Sequence, residues 1–331
     1  MKRLLGMFFT LVLIFSLGAA AVAASPDGYG GGLPFRFAAK EEGAEMMLAN
    51  TEYYAKFSPN KLAYIMQNTD AGMEEYLAFA KKQVIDWTDQ EKDIITRGMK
   101  EIEEGFKSKG WTMPPLDPIV FIRTTMLEEN GTLGYTHGTQ IYLGDFIRTY
   151  TPEAYEDGKL PDQFRTVLAH ELFHCLTRCN PDFRARMYSL IHFTVVEKDY
   201  PIPPSVWEYY IANPDVEHHN SWATFVVDGK EVDCFAAYVT TKHFENKGEQ
   251  FFKLGTTAIV PVDGSDVFYP KDQVSNFDEV FGTNTGYVID PEECMADNFS
   301  YAVVYGLKGP GGEGYPNPEI IEGVMEILSR H

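Results

Sequence analysis

The chain contains the pentapeptide His170-Glu171-Leu172-Phe173-His174 inside a segment with the periodicity of an amphipathic helix. Two histidines four residues apart lie about 40° apart around a helix, so both imidazole rings can reach one metal ion. The glutamate after the first histidine projects toward a water bound to that ion. Zinc lowers the pKa of such a water toward neutrality, and Glu171 can take its proton during attack on a carbonyl carbon. The motif therefore predicts a zinc-dependent hydrolytic site.

The residues around the motif favour a helix with defined ends. Leu160-Pro161-Asp162 is typical of a helix start, because proline and an acidic residue are both favoured in the first turn. Asn180-Pro181 is typical of a stop. His170 and His174 lie off the apolar stripe of this helix and are free to face a cleft; the stripe comprises Phe164, Leu168, Leu172, Cys175 and Leu176.

A second helix supplies the best candidate for a third zinc ligand. Asp290 is a predicted N-cap with Pro291 at the first helical position. Glu293 and Asp297 then share one helical face. One carboxylate can coordinate the metal, while the other accepts the second N–H of a liganding imidazole and fixes its orientation.

Other assignments are open for these residues. Asp290-x-x-Glu293 is also a capping-box pattern, in which Glu293 satisfies backbone donors instead of binding metal. Glu292 is the next candidate for the third ligand, followed by His218 or His219.

The two motifs together resemble the gluzincin metallopeptidases, the thermolysin-like branch of the zincins, and residues 284–293 are similar to secreted bacterial zincins. The resemblance implies that His170, His174 and Glu293 bind one Zn²⁺ per chain. It also implies that Glu171 is the general base and that Asp297 is the hydrogen-bond partner of His170. The metzincin pattern is excluded, because Thr177 and Asn180 replace its glycine and third histidine.

The zincin resemblance implies an α+β fold with an active-site helix and a small mixed sheet that has an edge strand. Gln140 to Gly144 is the candidate edge strand, and an ordinary hairpin is the alternative. A β-rich insertion at about 213–285 separates the two motifs and contains a predicted hairpin with an Asp-Gly turn. Helical patterns occupy 69–109, with a capping box at Thr88, and 317–328.

A metallopeptidase also needs a group that stabilises the oxyanion of its tetrahedral intermediate. Tyr287, His218 and His219 are the candidates for this role. The alternative for the adjacent histidine pair is that both are ordinary loop residues.

The first 24 residues have the pattern of a secretory signal peptide. Lys2 and Arg3 form a basic start, Leu4 to Leu17 is apolar, and Ala21 to Ala24 is a small-residue cleavage site. An uncleaved anchor is the competing interpretation. We expect a secreted or periplasmic protein without stable membrane insertion after cleavage. A loosely ordered lead-in is predicted at 25–50, followed by a catalytic domain at 51–331.

The formal net charge of −20 disfavours nucleic acid as a partner and is compatible with a peptide or protein substrate. In an oxidising compartment, one or two disulfides are expected among the four cysteines Cys175, Cys179, Cys234 and Cys294. Thiolate coordination of the metal is an alternative for Cys175 and Cys294, which directly follow proposed ligands.

Two functions are consistent with the sequence. The first is an exported zinc metallopeptidase in which Glu171 moves protons. The second is a zincin-like metal-binding protein without efficient peptidase activity. The intact Glu171 favours the first, because a binding protein has no chemical use for this carboxylate.

Overall fold

The computed structural model describes residues 32–149 and 160–330. The predicted signal peptide and residues 25–31 lie outside the described residues. The strands are β1 (Phe35–Phe37), β2 (Ile119–Arg123), β3 (Gly134–His137), β4 (Gln140–Leu143), β5 (Thr194–Val195), β6 (Ser221–Val227), β7 (Lys230–Thr240), β8 (Gly255–Pro261) and β9 (Tyr269–Pro270).

The helices are more numerous and make the protein a mixed α+β structure. They are α1 (Lys40–Leu48), α2 (Thr51–Tyr54), α3 (Pro59–Met66), α4 (Met73–Gln83), α5 (Asp89–Lys109), α6 (Asp162–Cys179), α7 (Pro181–Ser189), α8 (Pro204–Trp207), α9 (Phe251–Leu254), α10 (Phe277–Phe281), α11 (Pro291–Val304) and α12 (Pro318–Ser329).

The first sheet has the strand order β1-β2-β4-β3. The pairs β1/β2 and β2/β4 are parallel, whereas β3 runs antiparallel to β4. The prediction that Gln140 to Gly144 forms the edge strand is therefore wrong: the sheet ends at β1 and β3, and β4 lies inside it, paired with β3. Both belong to one hairpin, which was the alternative. The positive φ of Gly138 allows the tight turn between them.

Helices cover both faces of the first sheet, as the side chains of β2 show. Ile119 and Phe121 pack into a core with residues of α5, α6 and α11, and Val120 and Ile122 pack into another with residues of α1, α3 and α4. Successive strand residues point to opposite faces, so a strand covered on both sides is apolar throughout. This explains why β2 is a continuous buried apolar run that ends in Arg123.

The second sheet is antiparallel, with the order β5-β6-β7-β8-β9. Most of it lies in the predicted β-rich insertion. The predicted hairpin is confirmed by β6 and β7, which are joined at Asp228-Gly229, both with positive φ. Phe251–Leu254 forms the single helical turn α9 immediately before β8 begins.

Three predictions about order and bonding need revision or refinement. The predicted lead-in is ordered from residue 32, because β1 pairs with β2 and α1 follows it. The helical segment 69–109 is divided into α4 and α5, and Thr88 forms the predicted capping box at the start of α5. The four cysteines, all within the described ranges, are free thiols rather than disulfides.

Among residues 32–149 and 160–330, no helix is both long and apolar enough to cross a bilayer.

Candidate metal centre

Helices α6 and α11 pack against each other and carry the two sequence motifs to one place. Both begin as predicted, α6 after Pro161 and α11 after the N-cap Asp290, which accepts a hydrogen bond from the Glu292 N–H. The rings of Phe173 and Phe299, on the buried faces of the two helices, lie 5.3 Å apart between centroids. This packing fixes the relative position of the motifs.

The three predicted zinc ligands converge. His170 Nε2 lies 3.0 Å from Glu293 Oε2, and His174 Nε2 lies 3.5 Å from the same oxygen. One donor atom of each residue lies within 4.8 Å of the others. Ligands about 2.0–2.2 Å from a tetrahedral zinc ion are separated by roughly 3.4 Å, so these three atoms fit its first coordination shell.

The other nitrogen of each imidazole is held by a carboxylate. His170 Nδ1 lies 2.9 Å from Asp297 Oδ1, as predicted, and Thr285 donates to the second oxygen of that carboxylate. His174 Nδ1 lies 2.9 Å from Glu292 Oε1. When Nδ1 donates its proton to a carboxylate, the lone pair of Nε2 is left for a metal. Both histidines therefore present Nε2 toward the same oxygen of Glu293.

Glu292 lies on the Nδ1 side of His174, away from the three convergent donor atoms. The geometry therefore does not support Glu292, the second candidate, as the third zinc ligand. Its oxygens accept hydrogen bonds from Thr177 Oγ1 at 2.6 Å and from the Tyr188 hydroxyl. Adjacent residues diverge by about 100° around a helix. Glu292 can therefore face Nδ1 of His174 while its neighbour Glu293 faces Nε2.

The carboxylate of Glu293 points to the histidines. The amide of Asn213 and the hydroxyl of Tyr287, 3.1 Å away, donate to its Oε1 and leave Oε2 facing the imidazoles. The side chain of Asp290 accepts a hydrogen bond from Glu292 N. A capping box would also need the Glu293 carboxylate to accept from Asp290 N, but that carboxylate bonds to Asn213 and Tyr287 instead. The structure thus favours the ligand assignment over the capping alternative.

Glu171 is buried, with 4% of its surface exposed, and its Oε2 atom has no hydrogen-bond partner. Its other oxygen lies against Gly134 of β3, where a Cβ atom would stand only 2.6 Å from Oε1. Burial, followed by repulsion from Asp215, raises the pKa of Glu171 to about 8. The carboxylate thus has one oxygen against β3 and one without a hydrogen-bond partner.

The electrostatics of the cluster are those of a cation site. Burial lowers the pKa of His174, but the negative charge of Asp215 and the nearby carboxylates of Glu292 and Glu293 outweigh burial and raise the pKa to about 10. The pKa of His170 is also raised well above its ordinary value, because its bonds to Asp297 and Glu293 outweigh burial. Without a metal, the acids thus draw protons onto the histidines. The buried His174 Nε2 has no hydrogen-bond partner, which fits a metal ligand.

Asp215 was not predicted to belong to this site. One of its oxygens lies within 4.8 Å of donor atoms of Glu171 and His174, and its Oδ1 accepts from Thr136 N at 2.7 Å. It lies in a loop whose conformation is set by Asn213, which accepts from Asp215 N. A loop has no periodicity that could have placed Asp215 here; the Asn-Pro-Asp turn was the only local signal.

The three candidates for oxyanion stabilisation lie in different places. Tyr287 is at the site, with its ring centroid 6.1 Å from that of His170. His218 is exposed and paired with Asp199, and the Nε2 atom of His219 lies 2.8 Å from the Tyr210 hydroxyl. The structure does not bring either residue of the histidine pair to the metal centre, as ligand or stabiliser.

A cavity of about 350 Å³ opens beside the cluster and is lined by His170, Glu171, Asp215, Glu293 and Asp297. Its rim includes the exposed apolar side chains of Leu133 and Phe252. The arrangement can present a bound metal, a proton acceptor and an apolar surface to the same small molecule or chain segment.

Comparison with protein-family models, curated proteins and solved structures finds no match to this chain.

Proposed function

We propose that the protein is an exported zinc metallopeptidase that resembles the gluzincins and hydrolyses peptide bonds with Glu171 as general base. The observation that carries this proposal is the position of Glu171: a buried carboxylate with an unpartnered oxygen lines the same cavity as His170 and Glu293, two of the three convergent ligands. A site that only held a metal for stability has no use for this carboxylate.

Each residue of the cluster has a distinct task in this proposal. His170, His174 and Glu293 would hold zinc, which supplies Lewis-acid activation of a water and of the substrate carbonyl when bound. Asp297 and Glu292 keep both imidazoles in the tautomer that presents Nε2. Glu171 Oε2 takes a proton from the attacking water and passes it to the nitrogen of the leaving amine.

The first sheet offers a position for the substrate backbone. Thr136 N is bonded on the side away from β4, so the backbone groups of Gly134, two residues earlier, also point to the free edge. Gly134 contacts Glu171 and lines the cavity. An extended peptide that pairs with this part of β3 is brought to the general base. The same juxtaposition of edge strand and active-site helix supports a zincin-like fold for this α+β chain.

The test is the variant Glu171→Gln, assayed for cleavage of a mixed peptide library by mass spectrometry. The amide cannot accept the proton, so we expect cleavage to fall by about 10²- to 10⁴-fold while zinc stays at one equivalent. Asp162→Asn is the control: it removes a charge from an exposed side chain at the start of the same helix and should retain full activity.

Two results would contradict the proposed mechanism. Unchanged cleavage by Glu171→Gln would remove this residue from the chemistry. One equivalent of zinc without any cleavage by the unmodified protein would favour a metal-binding protein that lacks peptidase activity.

A further inference from the structure

The outward edge of β3 lines the cavity at Gly134, whose carbonyl accepts a hydrogen bond from Thr132 Oγ1 at 3.2 Å, and it is covered by other residues immediately beyond. The backbone groups of Thr136 and Gly138 point outward, as those of Gly134 do. Thr136 N donates to Asp215 Oδ1 at 2.7 Å, and Gly138 N donates to Glu217 Oε1 at 3.0 Å. The Gly138 carbonyl accepts from Arg178 at 3.1 Å. From Thr136 onward, residues of this chain already occupy the edge that a substrate strand would use.

Arg178 fixes this closure in place. It donates from one nitrogen to the carbonyls of Pro214 and Asp215, each at 3.1 Å, and its Nε lies 2.8 Å from Glu217. Its side chain is only 9% exposed. A buried guanidinium with several partners on one loop holds that loop rigidly, so residues 214–217 form a fixed wall.

The wall begins at the catalytic residues. An oxygen of Asp215 lies within 4.8 Å of donor atoms of Glu171 and His174, and Gly134, on the part of the edge that lines the cavity, lies against Glu171. A peptide lying along Gly134 cannot continue past Asp215 as an extended strand. One end of the substrate must therefore lie close to the scissile bond.

Charge decides which end this is. The cavity is lined by four carboxylates, which outnumber the two positive charges of one zinc ion, and by no lysine or arginine among the described residues; the carboxylates are those of Glu171, Asp215, Glu293 and Asp297. Arg178 lies 4.0 Å from Asp215 Oδ1 but does not line the cavity. A terminal carboxylate would be repelled there, whereas an α-ammonium group would be attracted. Asp215 is the one carboxylate in this set that neither binds the metal, orients a histidine nor moves protons in the proposed mechanism.

We propose that the site removes residues from the free amino end of peptides and that Asp215 recognises the α-ammonium group. This inference rests on the proposed peptidase function. Water oxygen bonds to the carbonyl carbon of the first residue, the C–N bond to the second residue breaks, and the proton held by Glu171 goes to that nitrogen. The released amine is the new amino end. Leu133 and Phe252 at the rim favour an apolar first residue.

The first experiment compares a leucine-initiated hexapeptide with its N-acetylated form, using the zinc-loaded full protein and mass spectrometry. We expect stepwise loss of single residues from the free peptide and at least about 100-fold slower cleavage of the acetylated one, because acetylation removes the charge that Asp215 attracts. Equal cleavage of both peptides at internal bonds would overturn the inference and leave the peptidase proposal intact.

The second experiment uses Asp215→Asn, whose amide oxygen can still accept from Thr136. The ratio of kcat/KM for free and acetylated peptides should fall at least about 10-fold, mainly through a higher KM for the free peptide. Glu217→Gln alters the same wall without touching the cavity and should keep the ratio. An unchanged ratio in Asp215→Asn would contradict the role of Asp215, since a purely structural defect lowers both activities together.

A binding measurement separates failure of this inference from failure of the proposed function. Zinc-loaded Glu171→Gln is titrated with leucine amide and with N-acetyl-leucine amide by calorimetry. Tighter binding of the free amine by at least about 10-fold supports amine recognition, even if the unmodified protein cleaves nothing. Equal affinity would overturn it, whatever the peptidase assay shows.

Discussion

Two buried ionic clusters contact the same loop of this protein but differ in how their charges are matched. In the first, Lys61 donates to Glu129 at 2.8 Å, to the Ala212 carbonyl at 2.5 Å and to the Tyr53 hydroxyl. Tyr53 in turn donates to the other oxygen of Glu129 at 2.7 Å. One positive and one negative charge are enclosed, and each has several partners.

The second cluster is the candidate metal centre. Asn213, which follows Ala212 in the same loop, contacts this cluster through the hydrogen bond that its amide donates to Glu293. Here His174 Nε2 and Glu171 Oε2 are buried without partners, and carboxylates outnumber the histidines. Burial of charge is common to both clusters, whereas the second also has unpartnered nitrogen and oxygen atoms beside a cavity, as the proposed binding of a metal and a substrate requires.

The largest effect is expected from Lys61→Met. Removing one partner of a buried ion pair leaves Glu129 uncompensated, which should lower the free energy of unfolding by about 3–5 kcal/mol in urea titrations. The folded fraction should still bind one equivalent of zinc, because Lys61 has no part in the metal centre. Loss of zinc with unchanged stability would reverse the roles that we assign to the two clusters.

Glu128 sharpens the comparison, because it also has a buried oxygen without a partner but contributes to no metal-ligand group of the described residues. Burial raises its pKa from 4.5 to about 7. The unfolded chain therefore loses this proton at lower pH than the folded chain, so the folded state becomes less favourable as pH rises from 4.5 to 7.

Glu128→Gln removes this penalty and should keep the acceptor for the Tyr135 hydroxyl, which lies 3.0 Å from Glu128 Oε1. Relative to the unmodified protein, the variant should gain on the order of 3 kcal/mol of unfolding free energy between pH 4 and pH 8. Parallel stability curves for the two proteins over this range would show that Glu128 is ionised when folded.

Gly134→Ala tests the contact between β3 and the general base. The added Cβ would approach Glu171 Oε1 to 2.6 Å, so the carboxylate must move. A displacement of about 1 Å at a catalytic group can cost about 100-fold, and we expect that loss in kcat/KM with zinc content unchanged. Gly286→Ala has no atom within 4 Å of the new Cβ and serves as the control. Full activity of Gly134→Ala would show that the position of Glu171 is not critical.

The smallest effect is expected from Glu292→Ala, which removes the partner of His174 Nδ1. Loss of such a partner weakens metal binding by about 10- to 100-fold, which competition with a chelator can measure. Glu292→Gln retains an acceptor and should recover part of the affinity. A complete loss of zinc, as for a directly coordinating residue, would instead support Glu292 as the third ligand.

The helices of the site could be predicted from the sequence because their signals are local. Apolar spacing, the proline at the start of each helix and the N-cap Asp290 placed α6 and α11 within one or two residues. The helical period then placed Glu293 and Asp297 on one face, and the structure brings both to His170.

The walls of the site could not be predicted, because they depend on contacts between segments far apart in the chain. The sequence of β4 is that of a strand, but its interior position follows from pairing with β2 on one side and β3 on the other. Asp215 is positioned by the hydrogen bond from Thr136, 79 residues away in sequence. The contact of Glu292 with His174 depends on the rotation of α11 against α6, which no local pattern specifies.

The most direct test of the account is the metal content of the purified protein, measured by mass spectrometry beside Glu293→Ala and Lys61→Met. We predict one equivalent of zinc in the unmodified protein and in folded Lys61→Met, and a sharply reduced content in Glu293→Ala. An unmodified protein that stays metal-free after incubation with zinc, or a Glu293→Ala variant that retains a full equivalent, would contradict the account.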